Sequence, residues 1–322
     1  MKAVSAWIYM IKYFRNIDHH TVEIFEPEND SWVNVVPPLK QEEFNELSEQ
    51  LEIPIDFLTD SLDIDERSRY DEDDNVKLIV IKTPTENNSF NESDAYYITI
   101  PIIIILTHNH IVTVNSFENP AIKKFLNTFQ NRQPDKKNMM VIKIIEKIIQ
   151  NFMEYLKEIN QKRNLIEQKL YDANKNEHLL ELMKIQKSLV YFVTALRSNE
   201  LLLAKMQRTK FLQLTENESE LLEDLMVDNS QALEMANIYT NILSSTMDTF
   251  ASIIANNQNQ VLKRLAIATI VLSFPVLIAS IFGMNVPSGF EHSPYAFYIV
   301  AVLSLLLAVV LGILAFRKKI LE

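Results

Sequence analysis

The sequence predicts an α+β cytoplasmic domain followed by a long-helix stalk and a two-helix transmembrane hairpin, and three observations predict it. Two apolar runs free of Asp, Glu, Lys, Arg and His close the chain, at 265–282 and 296–316. Ahead of them, Asp135 to Phe274 holds neither proline nor glycine, 140 residues without the two strongest helix breakers. Residues 1–134 instead alternate polar turns with short stretches rich in Val, Ile, Tyr and Thr, the composition of strands.

In that first segment the strand candidates are 22–25, 32–36, 76–82, 96–106 and 111–114, with His108-Asn109-His110 as a hairpin tip between the last two. Ala3 to Ile11 reads as a further strand. It is apolar, but Lys12 and Arg15 follow it and no small-residue cleavage site does, so it is not a secretory signal. Pro38 to Leu51 has helical periodicity, with Phe44, Leu47 and Leu51 on one stripe. The acid run Asp71-Glu72-Asp73-Asp74 reads as a solvated turn. His19, His20, His108 and His110 read as surface groups, because no cysteine and no i,i+4 histidine pair on a helix accompanies them.

The breaker-free stretch predicts helices over 138–172, 178–210 and 216–282. Thr215-Glu216-Asn217-Glu218 has the capping-box form that opens the third. Its apolar positions Leu221, Leu225, Ala232, Met235, Ile238, Ile242 and Ile253 recur near a 3.5-residue spacing, as in a packed bundle. Nothing interrupts this helix before the first apolar run, so stalk and membrane helix form one rod of ~100 Å at 1.5 Å per residue. The expected organisation is a cytoplasmic domain (1–134), a stalk (135–264), a first span (265–282), an outer loop (283–295), a second span (296–316) and a basic tail (317–322).

Runs of 18 and 21 residues match a hydrocarbon core of ~30 Å. Lys263 and Arg264 precede the first, and Arg317, Lys318 and Lys319 follow the second. Of Asp, Glu, Lys, Arg and His, the loop between carries only Glu291 and His292. Positive flanks stay inside, which predicts a multi-pass protein of the cell membrane with both termini cytoplasmic. The absence of cysteine agrees with a cytoplasmic domain. Net charge is −11, with 22 acidic and 8 basic side chains in the first hundred residues. Nucleic-acid binders concentrate Lys and Arg, so no nucleic-acid partner is expected. An enzyme is not expected either: glycine is absent before Gly283, which removes phosphate loops, and neither His-Glu-x-x-His nor Gly-x-Ser-x-Gly occurs.

On the first span, Asn259, Leu262, Leu265 or Ala266, Thr269, Ser273, Val276 and Ser280 recur three or four apart, ending at Met284 and Asn285. Such spacing stacks them on one side. Hydroxyls prefer water or a helix interface to lipid, so this side lines either a helix contact or a water-filled path. One hairpin cannot enclose a path, and several copies would be needed. Glycine, which permits sharp turns and close approach, first appears where this span ends.

Gly283-Met284-Asn285 at the end of the first of two C-terminal spans resembles the signature of the CorA family of divalent-cation channels. Asn259-Gln260-Val261-Leu262-Lys263 is similar to the family's Asn-x-Val-Met-Lys approach to the membrane. Pro275 with Ile278-Ala279-Ser280, the basic Phe316-Arg317-Lys318-Lys319, and Ile53-Pro54 through Leu58-Thr59-Asp60-Ser61-Leu62 match further family segments. The resemblance covers most of the chain. It implies a homopentameric funnel in the bilayer, with five first helices around the pore and five second helices outside. Gly283, Met284 and Asn285 would form the selectivity filter, where neutral oxygens hold a hydrated divalent ion. Asn259, Leu262, Leu265, Thr269, Ser273 and Ser280 would line pore and gate. Asp60 and Asp224 would bind regulatory Mg²⁺ between neighbouring subunits, and Glu291 would draw cations to the mouth. No cofactor is implied beyond Mg²⁺ as transported and regulatory ion.

The chain departs from the family pattern at Phe282, where Tyr is common, and at Val286-Pro287-Ser288-Gly289-Phe290-Glu291, which lacks Met-Pro-Glu-Leu. Gly-Met-Asn also marks a zinc-transporting branch. The expectation is therefore Mg²⁺ uptake, driven by membrane potential and gated by intracellular Mg²⁺. The alternatives are a Zn²⁺, Co²⁺ or Ni²⁺ transporter of the same fold, with or without proton coupling, and a non-conducting membrane-anchored scaffold.

Overall fold

The computed structural model describes residues 11–17, 20–36, 39, 41–59, 63–87, 95–115, 119–129, 136–173, 176–284, 289 and 293–317. The chain divides into two units, Met1–Ser245 and Thr246–Glu322.

The first unit is built on a seven-stranded sheet. Its strands are β1 (Ile11–Ile17), β2 (His20–Ile24), β3 (Ser31–Val35), β4 (Arg69–Asp73), β5 (Val76–Glu86), β6 (Tyr97–Leu106) and β7 (His110–Asn115), in spatial order β2-β1-β3-β7-β6-β5-β4. The β3–β7 pair is parallel and every other pair antiparallel. β6 is buried along its whole length, as its near-continuous isoleucines require of a strand covered on both faces. Helices α1 (Gln41–Leu51) and α2 (Ile55–Thr59) cover one face. There Phe44, Leu47, Leu51, Phe57 and Leu58 join Val33, Val35, Leu78, Val80, Ile103, Ile105, Val112 and Val114 in one core. Helix α3 (Pro120–Phe129) covers the opposite face at β3, where Phe125 meets Trp32 edge-on with ring centroids 5.2 Å apart.

The long helices α4 (Lys137–Ala173) and α5 (Asn176–Thr209) pack against β5 and β6. Phe152 of α4 and Phe192 of α5 meet edge-on, centroids 5.3 Å apart. Tyr97 of β6 is buried beside them; its hydroxyl donates to Glu158 Oε2 at 2.8 Å and accepts from Lys162 Nζ at 2.8 Å. Burial, the Glu158 hydrogen bond and its charge all push that phenol's pKa upward. Tyr155 is raised to about 12, first by burial and then by Glu86.

Helix α6 runs Glu216–Phe282, as the sequence predicts. At its start the Glu218 carboxylate accepts the Thr215 N–H at 2.8 Å and its hydroxyl at 2.9 Å. The predicted 3.5-residue stripe is only half buried. Leu225 and Ala232 are covered, but Ile238 and Ile242 stay 43 % and 41 % exposed. The covered side is instead Leu222, Leu225, Asn229, Ala232, Ala236 and Leu243, so the helix carries a second apolar stripe that its own chain leaves open.

Two local features differ from the sequence reading. Asp71–Asp73 belong to β4, an edge strand antiparallel to β5, rather than to a turn. The turn is Asp74-Asn75, with φ of 44° and 68°; two left-handed residues make the tight hairpin whose twist suits flanking strands. His110 is no surface group. It opens β7, is buried, and its Nδ1 lies 3.0 Å from Ser31 Oγ. The expected strand at 3–11 lies outside the described residues except for Ile11, where β1 begins.

Candidate functional site

The second unit holds the part of α6 from Thr246 and the helix α7 (Ala296–Arg317). Both helices are long and apolar enough to cross a membrane. Partly shielded residues on α6 fall at Ile267, Val271, Pro275 and Ile278, three or four apart. On α7 they include Ala296, Val300, Ala308 and Gly312, with Ser304 buried at their centre. These two helices make up the described part of the unit, so we infer that the stripes are the sides on which each shields the other. Small residues at four of the five positions spaced four apart on α7, with Val300 the exception, let a neighbour approach. The sequence carried that signal at Ala296, Ser304, Ala308 and Gly312, and the reading from sequence missed it.

Asn259, Leu262, Leu265, Thr269, Ser273 and Ser280 all stand exposed on α6. None belongs to the stripe turned to α7. Leu262 and Leu265 are 61 % and 62 % exposed, a large apolar area to leave open. The Thr269 hydroxyl donates to the Leu265 carbonyl at 2.8 Å, and the Ser273 hydroxyl to Thr269 O at 2.7 Å. Each proton is thereby satisfied within the helix, and each oxygen keeps lone pairs for an incoming donor. A groove of about 580 Å³ runs along this side, walled by Thr269, Leu272, Ser273, Val276 and Ser280 among others. Pro275 has no N–H for the Val271 carbonyl, which loosens the helix on the α7-facing side.

Gly283 closes α6, its N–H donating to the Ala279 carbonyl at 2.9 Å. A Cβ at this position would lie 3.3 Å from that same oxygen, closer than most side chains tolerate. Its φ is not left-handed, so what glycine offers here is room beside that oxygen, which a side chain would push back by a few tenths of an ångström, and not an unusual turn. Met284 follows, its N–H donating to Ile281 O at 3.3 Å and its side chain 60 % exposed. Asn285, Glu291 and Asp60 lie outside the described residues. Asp224 is exposed on the first-unit part of α6. Among the described residues no group of three or more His, Cys, Asp or Glu could hold a metal ion.

An α/β unit followed by one uninterrupted helix and a pair of membrane-length helices, with a polar stripe on the first, is the architecture of a two-span membrane protein. The family model described as "CorA-like Mg2+ transporter protein" matches residues 29–318. The chain belongs to that family, and is accordingly a divalent-cation transporter rather than an enzyme. It is 27 % identical over 302 residues to the cobalt/magnesium transport protein CorA of Methanocaldococcus jannaschii, covering 92 % of each chain. The corresponding protein of Thermotoga maritima is 20 % identical, over 97 % of this chain and 90 % of that one. The complete structure of the M. jannaschii CorA magnesium transporter superposes with a TM-score of 0.80 at 25 % identity, covering 96 % of this chain and 98 % of that one.

Proposed function

We propose that the chain forms a homopentameric Mg²⁺ channel of the cell membrane, with both termini cytoplasmic. Uptake follows the membrane potential, worth ~4.6 kcal/mol per divalent ion per 100 mV. The observation that carries this reading is the two-sidedness of α6. One stripe is shielded, while the side that carries Thr269, Ser273 and Ser280 with Leu262 and Leu265 stands exposed among the described residues. The Thr269 and Ser273 hydroxyls bond only carbonyls of their own helix and keep acceptor lone pairs outward, which suits contact with another copy or with water. The names of the relatives, which mention both cobalt and magnesium, support Mg²⁺ as the cargo and Co²⁺ as a second permeant ion.

In this reading Gly283, Met284 and Asn285 form the filter. Mg²⁺ sheds its hydration shell reluctantly, so a ring of neutral amide oxygens that holds the shell suits it. A charged ring would bind too tightly to release the ion. Glu291 concentrates cations at the mouth. Leu262 and Leu265 form an apolar constriction that closes by dewetting, with Asn259 as a polar ring beside it. Thr269, Ser273 and Ser280 wet the wall between gate and filter. Asp60 and Asp224 of adjacent copies hold intracellular Mg²⁺, which screens their repulsion and keeps the pore shut until the ion is scarce.

Flux into liposomes clamped at negative potential tests the reading. Mg²⁺ should enter, lumenal Mg²⁺ should suppress entry, and Asn285→Ala should reduce entry at least tenfold. Zn²⁺ uptake accelerated by a proton gradient, without any Mg²⁺ flux, rejects it in favour of the zinc alternative. Asn285→Ala with undiminished flux removes the filter from its place.

A further inference from the structure

A cavity in the first unit has no part in the conduction path. It encloses about 520 Å³, bounded by Lys82 of β5, Thr99 of β6, Thr194 and Ser198 of α5, and Asp65 and Arg67 of the loop between α2 and β4. Small-molecule sites have volumes of about 300–1,000 Å³. Lys82 is 9 % exposed. Its ammonium has three donors to place, yet among the described residues it makes one hydrogen bond, to the Ile64 carbonyl, and no ion pair within 4.0 Å. A buried charge so poorly matched is costly, and burial lowers the pKa of the amine. Arg67 also has no hydrogen-bond or ion-pair partner among the described residues.

The carboxylates facing Lys82 are those of the same loop, Asp65, Asp63 and Glu66. Glu66 is engaged by Arg69 at 2.9 Å, and Asp63 Oδ1 by the Asp65 N–H at 2.9 Å. The N–H bond leaves the Asp63 charge in place, but Asp63 and Glu66 stand outside the lining, whose own charged side chains are the cations Lys82 and Arg67 and the one carboxylate of Asp65. Such a lining suits an anion better than a metal ion. Ile98 and Val190 supply an apolar wall that an inorganic ion would not need.

We propose that this cavity binds a small organic anion, whose carboxylate or phosphate group pairs with Lys82 and Arg67 while its apolar part lies against Ile98 and Val190. The loop over it is already tied down from three sides. Lys82 Nζ holds Ile64 O, Ser198 Oγ accepts the Ser68 N–H at 3.2 Å, and Asn199 Oδ1 accepts the Ser68 hydroxyl at 2.7 Å. The chain enters this loop directly from Asp60-Ser61-Leu62. An anion that tightens the loop therefore shifts the intracellular Mg²⁺ level at which the pore closes. This regulatory clause rests on the assignment of Asp60 made above; binding itself does not.

The test uses the full chain in nanodiscs and Mg²⁺-free buffer, with AMP and benzoate as anionic probes and adenosine and benzyl alcohol as their neutral counterparts. Thermal unfolding should shift upward saturably with at least one anion, AMP alone marking a phosphate site and benzoate alone a carboxylate site. The neutral molecules should give no shift. Lys82→Met and Arg67→Gln should each weaken the effect at least tenfold, the exposed Arg67 serving as the check should Lys82→Met lose its fold. No shift with either anion, an equal shift with the neutral counterparts, or full retention in both variants overturns the site. For the regulatory clause, saturating anion should move the half-inhibiting lumenal Mg²⁺ at least twofold. Intact binding without that move overturns the clause and leaves the site standing.

Discussion

His110 is placed where a change of pH must register. It is buried next to Ser31, and burial followed by the charge of Lys137 lowers its pKa, while Asp30 opposes them weakly. Between its folded value and the ordinary 6.5, the unfolded chain binds more protons than the native one. Stability therefore falls as pH drops through 6.5. Denaturation midpoints measured from pH 7.5 to 5 should decline in the wild type, and His110→Gln should flatten part of that slope. An unchanged slope would mean that the ring is solvated. A single sequence does not separate this histidine from His108, two residues away. β7 begins at His110, where parallel pairing with β3 sets Ser31 opposite it, while His108 stands outside the strand, and that decides which is buried.

At the scale of elements, α5 is fastened to the sheet by side chains that imitate a strand. β4 pairs with β5 only as far as Val80, leaving the backbone of Lys82 unpaired at the edge. The buried Asn199 completes it, Oδ1 accepting the Lys82 N–H at 3.0 Å and Nδ2 donating to the Lys82 carbonyl at 2.9 Å. Asn199→Ala strands both groups away from water and should cost about 2–4 kcal/mol, two unsatisfied buried groups at roughly 1–2 kcal/mol each. Urea unfolding measures it, and a loss under 0.5 kcal/mol would mean that water or relaxation replaces the amide. The helices were legible because their apolar periods are long and free of breakers. β4 was not. Arg69-Tyr70-Asp71-Glu72-Asp73 has the composition of a loop, and only its partner β5 makes a strand of it. An edge of charged residues also discourages pairing with another sheet.

For the whole molecule, the open stripe on α6 carries the argument. Ile238 and Ile242 are exposed one helical turn apart, on the same helix as the exposed Val227. In a ring of copies the same residues of each stalk would face one another, burying apolar area of the kind that drives association. The protein has no cysteine, so one introduced thiol gives a clean probe. Ile238→Cys treated with a short bismaleimide should yield covalent dimers in the detergent-solubilised protein, whose particles should contain five copies. Monomeric particles without cross-links would remove the pore.

The sequence by itself determined the helices, the two spans, the glycine at the end of the first and the strands whose apolar residues run continuously. Each of these is written in local period and composition, which neighbours in the chain enforce. Only the tertiary structure decided which side of α6 meets α7, which histidine is buried, and that Lys82 and Arg67 share a cavity with one carboxylate. Those outcomes depend on pairing between residues far apart in sequence, such as Lys82 with Asn199 or Ser31 with His110. A one-dimensional pattern carries no term for such pairings.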